Sequence, residues 1–200
     1  MKLIGLTGGI GMGKSTAARS FRRAGLRVFD ADAAVHELQA RGGRGVAPIA
    51  AAFPGTVRDG AVDREALRQV VLGQPDALRR LERIIHPLVR DMQRRFVARA
   101  RRDRQRLVVL DIPLLFETRP GGAVGREFDL IVVVSAPARV QRRRVLGRPG
   151  MTLERLAAIL ARQTPDAEKR RRADVVVRTG LSRHHADCAI RRVVREASAE

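Results

Sequence analysis

Two hundred residues, 44% of them hydrophobic and 30% charged, are enough to bury a core, and the composition excludes disordered, collagenous and coiled-coil chains. The 40 Lys+Arg against 21 Asp+Glu give a formal net charge of +19, yet all the basic residues except Lys2, Lys14 and Lys169 are Arg. The excess therefore reads either as an Arg-rich composition or as attraction to phosphate, and alone it names no function. Cys188, the only cysteine, leaves no partner for an intramolecular disulfide and no cysteine metal site. The longest apolar runs, such as residues 130–134, fall far short of a membrane span. The apolar start of the chain breaks at Thr7-Gly8-Gly9 without a small-residue cleavage site. A soluble, cytoplasmic protein is the expectation.

Residues 2–6 read as a short buried strand, followed by a glycine cluster, a helix over 15–24 and a second strand at 26–30. From 33 to 106 the apolar positions recur at helical spacing, with turn signals at 41–43, 53–55 and 73–75, which predicts an all-helical insertion. Strand signals return at 107–110, 129–135 and 174–177, alternating with helices. That alternation predicts a parallel sheet with helices on both faces. An Arg-dense stretch over 139–151, with Gly147 and Gly150, suits a mobile flap. No internal repeat or low-complexity linker divides the chain.

Gly8-Gly9-Ile10-Gly11-Met12-Gly13-Lys14-Ser15 satisfies G-x-x-x-x-G-K-[ST] between a predicted strand and a predicted helix, the context of a phosphate-binding P-loop. Glycines let successive backbone N–H groups turn toward phosphate oxygens, and the helix adds its positive N-terminal end. Side chains at Ile10 and Met12 need only stay clear. Lys14 is placed to put a compact cation on the β- and γ-phosphates of a nucleoside triphosphate, Ser15 to bind Mg²⁺ and Thr16 to contact the α-phosphate. In a chain that otherwise uses Arg, the lysine suits a point-charge role.

Asp30-Ala31-Asp32 follows the second strand. On a continuing strand the two carboxylates share a face beside the phosphate site, where a kinase needs a group to receive the acceptor hydroxyl's proton; alternatively, Asp32 caps a helix beginning at Ala33. Asp111 ends the apolar run 107–110, either as a Walker-B-like aspartate reaching Mg²⁺ or as a turn-forming residue before Ile112-Pro113. Arg142, Arg143, Arg144 and Arg148 lie in a stretch without acids. Arg144 and Arg148, four apart, share a helix face, and they read either as a solvated surface or as groups that neutralise a transferring phosphoryl. His86-Pro87 separates two helical runs, 77–85 and 88–100, as a helix-end residue or a functional one. A nucleic-acid-binding NTPase is the competing non-enzyme reading, and a smaller-acceptor kinase the competing enzyme. The first is poorly supplied with aromatic stacking groups, since Trp and Tyr are absent and Phe numbers six.

The chain resembles the dephospho-CoA kinase family. The matching segments are Ile4-Gly5-Leu6-Thr7-Gly8-Gly9-Ile10-Gly11 through Ser15-Thr16, Phe29-Asp30-Ala31-Asp32, Leu81-Glu82-Arg83-Ile84-Ile85-His86-Pro87, and Asp111-Ile112-Pro113-Leu114-Leu115-Phe116-Glu117. Residues 141–148, Arg162-Gln163 and Ala173-Asp174-Val175-Val176 continue them in family order. The resemblance implies an α/β P-loop NTPase-type three-layer fold with a parallel sheet, a helical acceptor-binding insertion and a lid. The division it implies is a nucleotide-binding core at 1–33, 106–136 and 164–200, a CoA-binding insertion at 34–105 and a lid at 137–163. It implies ATP-dependent phosphorylation of the ribose 3′-hydroxyl of dephospho-CoA, with Mg²⁺. By position, Asp32 is then the general base, and Lys14 and Arg144 stabilise the transferred phosphoryl. Gly9, Ile10, Gly11, Met12, Gly13, Ser15, Thr16 and Arg148 complete the ATP site, Ser15 and Asp111 hold the metal, and His86, Leu114 and Phe116 border the acceptor. Met12 stands where the family has a small residue, and Arg178-Thr179 where Asp or Asn is expected near the adenine.

Overall fold

The computed structural model describes residues 1–118 and 127–199. These residues form two compact units, 1–29 with 100–199 and 30–99.

In the first unit a five-stranded sheet is built from β1 (Lys2–Thr7), β2 (Arg27–Asp30), β5 (Leu107–Asp111), β6 (Leu130–Ser135) and β7 (Val175–Arg178), in the order β2-β5-β1-β6-β7. β1 pairs in parallel with both β5 and β6, and β6 in parallel with β7. The side-chain period of two divides β1 between the faces. Ile4 and Leu6, both fully buried, pack with Ala17, Ala18 and Phe21 of α1 (Lys14–Arg23) and with Ala186, Ile190 and Val193 of α10 (Arg183–Ala199). Gly5 points the other way, where a Cβ would come within 3.0 Å of the Phe128 ring and 3.3 Å of Leu115. This unit also holds α6 (Leu115–Thr118), α7 (Ala138–Leu146), α8 (Leu153–Ala161) and α9 (Asp166–Arg171).

Residues 30–99 hold α2 (Ala31–Gln39), α3 (Val46–Ala52), a hairpin of β3 (Val57–Arg58) and β4 (Ala61–Val62), α4 (Arg64–Val71) and most of α5 (Pro75–Arg102). Their own core is Ile49, Phe53, Val62, Leu67 and Ile85. The segment is thus not wholly helical, contrary to the periodicity. Asp59 and Gly60 turn the hairpin with φ of 49° and 75°, the left-handed pair that a two-residue loop demands and that an Asp-Gly dipeptide supplies. A second difference lies at His86-Pro87. The two expected helical runs are one helix, with Pro87 in its interior. Proline removes one backbone donor, and the apolar stripe through Ala77, Leu81, Ile84, Ile85 and Val89, all in this core, carries the helix past it.

Candidate active site

The glycine loop joins β1 to α1 at the carboxyl edge of the sheet. Gly11 and Gly13 have φ of 72° and 90°, a conformation that side-chain-bearing residues rarely adopt. Gly8 is required for a different reason. A Cβ there would lie 2.3 Å from Val134 Cγ2 and 2.8 Å from the Val134 carbonyl oxygen, so the loop leaves β1 in direct contact with β6. Lys14 opens α1, with Ser15 and Thr16 in the same first turn. Ser15 is exposed and Lys14 is half-buried. Lys14 Nζ lies 2.8 Å from Asp111 Oδ1, because β5 runs beside β1 in a register that sets Asp111 opposite Leu6. Asp111 is the last residue of β5 and only 2% exposed.

Residues far away in sequence brace the loop. The Thr179 hydroxyl donates to the Met12 carbonyl at 2.5 Å, and the Thr179 N–H donates to the Ser135 carbonyl at 2.8 Å. Arg144 donates through Nη1 to the Gly11 carbonyl (3.3 Å) and Thr179 Oγ1 (3.2 Å), and through Nη2 to the Thr179 carbonyl (2.7 Å). Gln163 accepts from the Ile10 N–H at 3.1 Å, and Gln141 donates to the Ile10 carbonyl at 2.8 Å. The structure therefore brings Gly9 to Thr16, Asp111 and Arg144 together. Thr179 supports the loop backbone. Its role carries no local signal, because one polar side chain in a loop has no period to read.

Other candidates fall differently. The helix ends at Leu146 with Gly147 as its cap, so Arg148 lies beyond it and does not share a helix face with Arg144. Phe116 is 3% exposed, with the Arg172 guanidinium 4.2 Å over its ring, whereas Leu114 is 40% exposed. Asp30 and Asp32 are not on one strand face. Asp30 ends β2 and caps α2, accepting from the Ala33 N–H at 3.0 Å, while Asp32 lies exposed in the first turn of α2. The chain turns helical at Ala31, so the period changes between the two carboxylates, and the cap is Asp30 rather than Asp32.

In residues 30–99, an open groove of about 1000 Å³ is lined by His86, Phe53, Arg79, Arg83 and Arg90 among others. In the other unit, a cleft of about 570 Å³ borders Met12, Ala138, Arg139, Arg178, Gly180 and Leu181.

A glycine loop braced from behind, a lysine at the start of the following helix and an aspartate at the end of the neighbouring parallel strand define a P-loop nucleotide-dependent phosphotransferase. The family model described as CoaE, dephospho-CoA kinase, matches residues 2–183, and the chain belongs to the dephospho-CoA kinase family. It is 63% identical over 170 residues to the dephospho-CoA kinase of Paramagnetospirillum magneticum, which covers 85% of this chain and 78% of that protein. With the Mesorhizobium japonicum enzyme of the same name it shares 54% identity over 198 residues, 98% of this chain and 96% of that one. The crystal structure of TT1252 from Thermus thermophilus superposes with a TM-score of 0.82 at 34% identity, over 98% of this chain and 97% of the other. No helix among the described residues is long and apolar enough to cross a membrane.

Proposed function

We propose the following division of labour for the reaction of this family, in which the γ-phosphoryl group of ATP passes to the ribose 3′-hydroxyl of dephospho-CoA to give coenzyme A and ADP. The observation that carries it is the Lys14–Asp111 pair at the carboxyl edge of the sheet. Phosphate oxygens compete for the ammonium, so nucleotide binding hands Lys14 to the β- and γ-phosphates. The loop N–H groups and the start of α1 add donors without reorganisation, and catalysis is then positioning plus charge stabilisation.

The exposed Ser15 hydroxyl and the Asp111 carboxylate are hard oxygen donors that fit Mg²⁺. Bound with the nucleotide, Mg²⁺ neutralises charge on the phosphates. Asp32 is the general base toward the 3′-hydroxyl. The cap on α2 is made by Asp30, which leaves the Asp32 carboxylate exposed for that task. Arg144, already on the Gly11 carbonyl, stabilises the transferred phosphoryl with Lys14, and Arg148 adds charge from beyond the helix.

Residues 137–163 serve as the lid, and the cleft at Met12, Arg139 and Gly180 takes the adenine. The groove around His86, with its arginines, takes part of the acceptor, whose diphosphate suits guanidinium partners; Leu114 contributes apolar contact. The deciding experiment incubates the purified protein with Mg-ATP and a panel of hydroxyl acceptors, following ADP release and acceptor mass. One phosphoryl group gained by dephospho-CoA is the expected result, and none would overturn the reading.

A further inference from the structure

We infer that Lys169 is a positioning residue for nucleotide binding, acting on the phosphate loop through Glu117, Thr164 and Gln163. Lys169, in α9, is fully buried, although burying an ammonium is unfavourable. Its Nζ lies 2.8 Å from Glu117 Oε1, and the same oxygen accepts from the Thr164 N–H at 2.8 Å. The residue before Thr164 is Gln163, whose Oε1 accepts from the Ile10 N–H at 3.1 Å. With Gln141 on the Ile10 carbonyl at 2.8 Å, the peptide groups on both sides of Ile10 are held.

These peptides need holding, because Ile10 lies between Gly9 and Gly11 and glycine leaves the backbone free to rotate. The N–H groups that follow must converge on one set of phosphate oxygens. Beside the 163–165 segment, packing leaves space. A cavity of about 280 Å³ is lined by Gly9, Gln163, Thr164 and Lys169, so the 163–165 segment has room to relax and polar contacts hold it in place. The Lys169 ammonium beside Glu117 Oε1 holds that carboxylate against the Thr164 N–H. Glu117 Oε2 and Lys169 Nζ are both buried without a hydrogen-bond partner among the described residues, so the two are held by the 2.8 Å ion pair at Oε1, and removing the ammonium leaves the carboxylate to turn away from Thr164.

The inference rests on the loop binding a nucleotide and not on the identity of the acceptor. It is tested by calorimetric titration of the full-length protein with ADP, alongside KM for dephospho-CoA. Lys169→Met and Gln163→Leu should each weaken ADP binding about tenfold, and the double variant should lose no more than either alone. Lys169→Arg should restore most of the affinity, and KM for dephospho-CoA should be unchanged throughout. Unchanged ADP affinity in Lys169→Met, losses that multiply to about a hundredfold in the double variant, or an equal rise in KM for dephospho-CoA would overturn it. Should Lys169→Met fail to fold, Glu117→Gln, which keeps the acceptor but not the charge, is read in its place. A wild-type protein that binds ADP but does not phosphorylate dephospho-CoA would overturn the acceptor reading and leave this one standing.

Discussion

Lys14 Nζ and Asp111 Oδ1 lie 2.8 Å apart, joining the first turn of the helix after the glycine loop to the last residue of the neighbouring strand. The pair sets a cation beside a carboxylate where two parallel strands end together. Lys14→Met should lower kcat by about 10²–10³-fold, the scale of losing one positioned charge in the transition state. Asp111→Asn should raise the Mg²⁺ concentration needed for half-maximal rate. A Mg²⁺ titration unchanged in Asp111→Asn would remove Asp111 from the metal site.

Asp30 caps α2, whereas Asp32, exposed in the first turn, is the proposed base. Asp30→Ala should lower stability by about 1 kcal/mol through loss of the cap, and Asp30→Asn should restore it. Asp32→Asn should lower kcat by about 10²–10⁴-fold while the Kd for ATP stays unchanged. Chemical denaturation and steady-state kinetics on the same preparations distinguish them. Near-wild-type turnover by Asp32→Asn would exclude it as the base.

Gly8 tolerates no Cβ. Gly8→Ala sets a methyl group against both Val134 Cγ2 and the Val134 carbonyl, so the loop must shift. The expected cost is about 1–3 kcal/mol, with weakened ATP binding. Val134→Ala in the same background relieves the side-chain clash but not the backbone one, and should recover the loss only in part. Full recovery, read by urea denaturation, would show that the carbonyl contact is unimportant.

Thr179 tests the bracing of the loop. Thr179→Val removes the hydroxyl that bonds the Met12 carbonyl and accepts from Arg144, and should cost about 1–3 kcal/mol and weaken ATP binding. Thr179→Ser, which keeps the hydroxyl, should lie close to wild type in both.

Asp187 on α10 predicts a dependence on pH. The Ser20 hydroxyl donates to its carboxylate, and Arg23 pairs with it at 2.9 Å. The Ser20 bond is the largest influence on its carboxyl; burial opposes it, and the Arg23 and Arg191 charges add to the Ser20 bond and hold the carboxyl below the usual carboxylate range. A carboxyl depressed on folding contributes stability above its unfolded value, about 3.9, and loses it as pH falls through the folded value. The Tm difference between wild type and Asp187→Asn should therefore be constant from pH 7 to about 5 and close below about 4. A gap that widens in acid would contradict this sign.

The five strands of the parallel sheet and the glycine loop were readable because each has local grounds: apolar runs, a fixed glycine spacing, and a lysine where a point charge is needed. The misreadings were local conflicts settled by packing. Pro87 stays inside α5 because the apolar stripe continues across it, and Arg148 leaves the helix face because Gly147 ends α7. The Asp-Gly turn of the hairpin was present as a signal within a segment whose helical spacing outweighed it.

Residue type and spacing alone decide that this chain carries a phosphate loop with Lys14, Ser15 and Thr16 at its end, since hydrogen bonds along the backbone and side-chain periods act over a few residues. The fit of that loop is decided by folding. Ile10 meets Gln163 across 153 residues and Gln141 across 131, and Met12 meets Thr179 across 167. A single polar side chain in a loop acquires its partner only when the parallel sheet brings distant strand ends to one edge, where a buried backbone group must be satisfied by whatever lies within reach.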